Sequence, residues 1–106
     1  MAGEVRVRPV RWTVAALRSA ESYLDYLAEQ NASAARRASL EIRAVSRQLT
    51  YVLTPGRPSV RWDGFREFTL RRWKKLIVFK ILPDRISVVA FYDMRQDLDA
   101  LPPPFE

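Results

Sequence analysis

The chain of 106 residues has no cysteine and no histidine, and only three glycines. Without cysteine there is no disulfide, no thiol nucleophile and no zinc–thiolate centre. Without histidine there is no imidazole acid or base, no histidine metal ligand and no Ser-His-Asp triad. Neither a metal nor an organic cofactor is expected. Long apolar runs are also missing: none approaches the roughly 20 residues that span a bilayer. The opening MAGEVRVRPVR alternates valine with charge and lacks the apolar centre of a signal peptide. These features predict a cytosolic (cytoplasmic) protein with no membrane partner.

What is present is a globular composition with an uneven charge. Hydrophobic residues make up 48% of the chain, enough for one domain with a modest core and no second one. The formal net charge is +6, and its placement says more than its size. Residues 1–56 carry eight basic and five acidic side chains, residues 57–85 nine and three, and residues 86–106 one and four. The positive field therefore gathers in the first part of the C-terminal half. It reads either as a solvated surface or as a patch for RNA, DNA or an acidic protein. Charge density alone does not choose.

Periodicity supplies the elements. Glu4 to Val10 alternates valine with arginine, which predicts a half-buried strand. Thr13 can cap a helix running to about Gln30, with Leu17, Ala20, Leu24 and Leu27 as its buried stripe and Glu21, Asp25 and Glu29 as an acidic edge. Asn31 or Ser33 restarts a second helix with the stripe Ala35, Ala38, Ile42, Val45, Leu49 and Val52. Arg36, Arg43 and Arg47 lie opposite that stripe, as a solvated face would. Thr54-Pro55-Gly56 ends the helix. Phe65 to Arg71, Leu76 to Leu82 and Ile86 to Tyr92 are rich in branched and aromatic residues and read as strands. Arg72 to Lys75 and Pro83-Asp84 make the turns. Leu76-Ile77-Val78-Phe79 is apolar on both faces, which predicts the central strand. The fold class is therefore α+β: an N-terminal strand, a two-helix antiparallel hairpin and a three-stranded antiparallel meander, with the hairpin on one sheet face. One domain over 1–98 is followed by a proline-rich tail, 99–106.

That order of elements, with particular residues, resembles the RelE/ParE toxin superfamily of type II toxin–antitoxin systems, and its ParE branch over about residues 5–98. The resemblance is carried by Leu24 to Gln30 (LDYLAEQ), Ala35, Leu49 and Pro55-Gly56-Arg57. It continues in Gly64-Phe65-Arg66-Glu67-Phe68, Ile77 to Ile81 with Asp84-Arg85-Ile86, and Arg95-Gln96-Asp97-Leu98. The ParE branch implies a toxin that inhibits DNA gyrase stoichiometrically rather than catalytically. It also implies neutralisation by a ParD-like antitoxin in a hetero-oligomer. The RelE branch implies instead a ribosome-dependent mRNA endonuclease, with sheet lysines and an arginine stabilising phosphate charge. On that pattern Glu67 and Thr69 stand where the first two lysines would be, Leu76 where the sheet arginine would be, and Leu101 near the C-terminal tyrosine. Only Arg95 matches. A nuclease would need a different set, such as Arg66, Lys80, Tyr92 and Arg95. A third alternative is a non-toxic relic that only binds its antitoxin.

The candidate target-binding residues are Arg71, Arg72, Trp73, Lys74 and Lys75 in the first strand turn, with Tyr92 and Arg95 beyond the last strand. The plainer reading of Trp12, Trp62 and Trp73 is packing. Trp73 invites the sharper one, since a tryptophan exposed among cations can stack on a base or fill a protein pocket. Side chains in such a turn are expected not to support the core. Arg66 alternates with Phe68 and Leu70 and reads as a structural arginine on the core side. Any nucleic acid contact is expected only indirectly or through the basic patch.

Overall fold

The computed structural model describes residues 7–51 and 56–105. Helix α1 runs Val14–Gln30, and the Thr13 side chain accepts from the Ala16 N–H at its start. Helix α2 runs Ala32–Tyr51. One residue joins them. The Asn31 N–H donates to the Leu27 carbonyl at 2.7 Å, and its Oδ1 accepts from the Ala34 N–H at 3.0 Å, so it closes one helix and caps the next. Small side chains at Ala16, Ala20 and Ala38 are almost wholly buried and let the helices and sheet approach closely.

Strand β1 is Val10–Trp12, β2 Arg57–Pro58, β3 Arg66–Leu70, β4 Lys75–Ile81 and β5 Ile86–Asp93. They form a five-stranded sheet in the order β1-β5-β4-β3-β2. The expected meander β3–β4–β5 is antiparallel, whereas β1 pairs parallel to β5, Val10 beside Ile86 and Trp12 beside Val88. As expected, β4 is central, and Leu76 to Phe79 are buried to within 1%. A bulge on β5 leaves Val89 as the extra residue, because Val78 pairs with Ala90 and Phe79 with Val88. Val89 and Ala90 both pack into the same far-face cluster as a result.

The N-terminal strand lies later than the valine alternation predicts. Residues 4–6 fall outside the described residues, Val7 is 55% exposed, and Pro9 has no N–H to give a ladder. Val10 and Trp12 pack against the helix-side core instead, and the Trp12 Nε1–H donates to Ser46 Oγ. In α1 the expected stripe is met at Ala20 and Leu24, but Ala16 is buried in the first turn while Leu17 is 47% exposed. In α2 the stripe from Ala35 to Leu49 is buried as expected, joined by Ala34. Val52, Thr54 and Pro55 lie outside the described residues. No helix among the described residues is long and apolar enough to cross a membrane.

The sheet has two apolar faces. The helical hairpin covers one, where Ile42, Val45, Leu49, Leu70, Ile77, Phe79, Val88 and Phe91 meet. The other is closed by chain without regular strands: Trp62 and Phe65 from the β2–β3 connection and Leu98 from a 3-10 turn lie over Leu76, Val78, Val89 and Ala90. Leu101 packs at the margin of that cluster, and residues 102–105 carry no regular structure.

Glu67 fastens this cover. It is 2% exposed, Oε2 accepts from Ser59 Oγ at 2.8 Å, and Arg57 and Arg61 each come within 3.5 Å of its carboxylate. Ser59 Oγ in turn accepts from the backbone N–H groups of Arg61 and Trp62, which holds the Trp62 loop against the sheet. Gly56, with φ +64°, sits where a Cβ would lie 2.3 Å from the Glu67 carbonyl oxygen. Glu67→Ala is expected to cost about 2–4 kcal/mol, because it strands Ser59 and a partly buried Arg61. Glu67→Gln, which still accepts from Ser59, should cost about half as much. Urea unfolding of the two variants measures both, and equal losses would contradict the charge-assisted part of the clamp.

Candidate functional site

The turn from β3 to β4 is a 3-10 turn, Arg71–Trp73, followed by Lys74 in the left-handed conformation at φ 54°. Its five candidates divide into two groups. Arg71, Arg72 and Lys74 are exposed. Trp73 is not the free, solvent-facing ring that the sequence suggests. It is half-buried against the helix-side core, and its Nε1–H donates to Glu41 Oε2 on α2 at 2.7 Å. The Arg72 guanidinium lies 5.9 Å from its ring centroid. Lys75 is 8% exposed, opens β4, and points its Nζ at Asp93 (3.4 Å) and over the Tyr23 ring (4.2 Å). The expectation that the turn's side chains leave the core alone is corrected for these two. Each is large enough to reach an element packed against the sheet.

The turn after β5 meets the first one. The Met94 N–H donates to the Lys74 carbonyl at 2.9 Å, and Lys75 pairs with Asp93 across the ladder. Arg95 curls back onto Asp93, with Nε and Nη2 at 3.2 and 3.1 Å and its backbone N–H at 2.9 Å. Those bonds hold the Asp93 carboxyl well below the usual carboxylate range, with the Lys75 charge adding to them, and they raise the Arg95 guanidinium. Burial raises the Tyr23 phenol, an effect that Arg95 opposes and Asp93 reinforces. Thr69, Arg71, Lys74, Met94 and Arg95 together line a shallow pocket of about 380 Å³. Two candidate sets separated in sequence thus form one basic end of the sheet.

Tyr92 does not join it. Its ring is half-buried on the other face, 5.7 Å from Trp62, and burial raises its phenol. Nor do the alternative nuclease residues assemble. Arg66 pairs with Phe79 and donates to the Gly56 carbonyl, and the Lys80 Nζ lies 4.9 Å over the Phe65 ring. Both belong to the other end of the meander, about 14–17 Å along β4 from Lys75. Among the described residues, no group of three or more carboxylates is placed to hold a metal ion.

Of the positions at which the ribonuclease branch would carry its cations, Glu67 and Leu76 lie on the closed face, whereas Thr69 and Arg95 line the basic pocket. Glu67 is clamped, Leu76 is 1% exposed, and Leu101 packs at the edge of the same cluster. Sequence reasoning missed the Lys75–Asp93–Tyr23 cluster, whereas the apolar groove with an arginine rim that it expects of the helical hairpin and sheet edge is present, with a volume of about 300 Å³ and a lining of Trp12, Leu17, Leu24, Ile42 and Arg43. The exposed edge of the α1 leucine stripe was a signal for the groove. A lysine at a strand start gives no comparable signal that it will be buried.

Asp93→Asn should remove the counter-charge of a buried lysine and lower stability at neutral pH. A carboxylate whose folded pKa lies below its unfolded value stabilises the fold above the unfolded value and loses that contribution as the pH falls through the folded one. Between about pH 5 and 2 the stability of the wild type should therefore fall more steeply than that of Asp93→Asn. Chemical unfolding across that range compares the slopes, and parallel curves would contradict the assignment.

A comparison with curated proteins gave no significant match. Among solved structures, the chain is similar to one described as the chromosomal ParDE TA system from P. aeruginosa. The TM-score is 0.74 at 23% identity, over 84% of this chain and 98% of that one, which is a likeness of fold. A family model described as the ParE toxin of type II toxin-antitoxin system, parDE, matches residues 10–98, and the chain therefore belongs to the ParE toxin family.

Proposed function

We propose that this toxin inhibits DNA gyrase stoichiometrically, in the cytoplasm, until a cognate ParD-like antitoxin binds it. The observation that carries the reading is the closed far face of the sheet. Glu67 and Leu76, at positions where a ribonuclease of this superfamily would carry cations, are 2% and 1% exposed, one inside an ion-pair clamp and the other in an apolar cluster. A phosphate group brought there would meet a carboxylate and hydrocarbon. The gyrase-directed branch of the superfamily needs no such constellation.

The helix groove supports the antitoxin half of the proposal. Its floor is Ala20, Leu24 and Ile42, its rim carries Arg43 and Glu21, and Leu17 stands 47% exposed at its edge. An amphipathic helix with an acidic flank fits such a groove. In this reading the adjoining reading frame encodes a small acidic protein with a ribbon-helix-helix-like start.

Two measurements test the proposal. Purified toxin should inhibit gyrase supercoiling and leave ribosome-bound mRNA uncut; codon-specific cleavage with gyrase unaffected would replace it with the nuclease reading. Leu17→Arg, a surface change costing no more than about 0.5 kcal/mol of stability, should weaken antitoxin binding about tenfold or more while gyrase inhibition persists. Unchanged antitoxin affinity would remove the groove from the interface.

A further inference from the structure

The basic end of the sheet has a chemistry that narrows its ligand. Arg71, Lys74 and Arg95 line one opening together with Thr69 and Met94. The neighbouring carboxylate, Asp93, is already engaged by Lys75 and Arg95. Arg95 spends Nε–H and one Nη2–H on it, which leaves the second Nη2 hydrogen and both on Nη1. The scaffold under these cations is stiff. Backbone bonds run from Lys74 to Arg71 and from Met94 to Lys74, and the buried Lys75 ties both turns to α1 through Tyr23.

What the opening lacks is equally informative. Protein hot spots centre on aromatic anchors in desolvated pockets, and base recognition uses exposed rings for stacking. The aromatic side chain of this turn, Trp73, is bonded to Glu41 and packed on the core. Three cations around a shallow concavity remain, with Thr69 and the 39% exposed Met94 between them, and cations so placed suit phosphate oxygens read without sequence preference.

We propose that Arg71, Lys74 and Arg95 form a phosphodiester-binding site that grips the backbone of duplex DNA. The inference deepens the gyrase reading, on which its biological setting rests, by assigning this end of the toxin to the DNA that gyrase holds rather than to the enzyme's surface. Binding itself is a property of the isolated toxin and is testable apart from it.

The experiment is fluorescence anisotropy of a short labelled duplex of mixed sequence, titrated with full-length toxin at several salt concentrations. Each phosphate neutralised contributes roughly −0.9 to the slope of log K against log salt, so three contacts give about −3. Arg71→Gln with Lys74→Asn, where asparagine tolerates the left-handed backbone, should cut affinity about tenfold or more and flatten the slope by about 2. Adding Arg95→Gln should remove most of what is left. Arg71→Lys with Lys74→Arg should bind like wild type, since phosphate reads charge. Arg36→Gln, Arg37→Gln and Arg47→Gln together remove as much charge from the exposed face of α2 and should change binding no more than about twofold.

Equal losses from the helix triple and the turn variants would overturn the site in favour of net charge. So would a wild-type slope near zero, or binding of poly-glutamate through these residues with no binding of the duplex. If a turn variant lost its thermal transition, the wild-type slope and the charge-conserving pair would still decide. A parallel supercoiling assay separates the two proposals. DNA binding without gyrase inhibition would sink the target reading alone, and gyrase inhibition without DNA binding would sink this one alone.

Discussion

A carboxylate with 3% of its side chain accessible must be surrounded by donors, and Glu67 finds them all between Arg57 and Arg61, in β2 and the loop that follows it. That requirement shapes the far face of the sheet. Ser59 bridges the carboxylate to the Trp62 backbone, and Trp62 and Phe65 then lie across Leu76 and Val78. A cover made of loop has little intrinsic stability, because its backbone is not paired in a ladder. A buried, charge-assisted anchor compensates for that. Gly56 serves the same junction, since any Cβ would collide with the Glu67 backbone.

With β4 buried on both faces, little of the sheet's broad surface remains for recognition. Exposed surface is left at the ends of the strands and on the helices. At one end of the meander the first residue of β4 is a lysine, and its burial is made tolerable by Asp93 and the face of Tyr23. The same contacts bind the 71–74 turn to the 93–96 turn and to α1. The core and the basic surface therefore share residues, and a substitution there acts on both unless it is confined to Arg71, Arg72 or Lys74.

Periodicity made much of this legible. The helical hairpin, its Thr13 and Asn31 caps, the meander and the central place of β4 follow from local rules that tertiary packing did not override. The N-terminal strand was misplaced because alternating valines resemble a buried face, and only packing shows that Trp12 has the larger apolar surface to bury. Leu17 was misplaced because the first turn of the helix meets the core through Ala16, a side chain too small to announce its burial. The site was legible as a cluster of residue types, not as an arrangement. Arg71 and Arg95 are 24 positions apart and meet through a strand register that the sequence does not print. Trp73 and Lys75 looked free because their partners, Glu41 and Tyr23, lie on the helices.

The two groups of exposed cations differ in a way that net charge conceals. Arg36, Arg43 and Arg47 project from an exposed helix face, each on a long side chain whose ordering on binding costs about 0.5–1.5 kcal/mol. Arg95 is already held by a carboxylate, and Lys74 sits in a fixed left-handed turn bonded on both sides. Part of the ordering cost at the sheet end is thus met when the protein folds, by the same Lys75–Asp93 pair that secures the strand. Equal numbers of positive charges can therefore give one surface that merely attracts a polyanion and another that holds it.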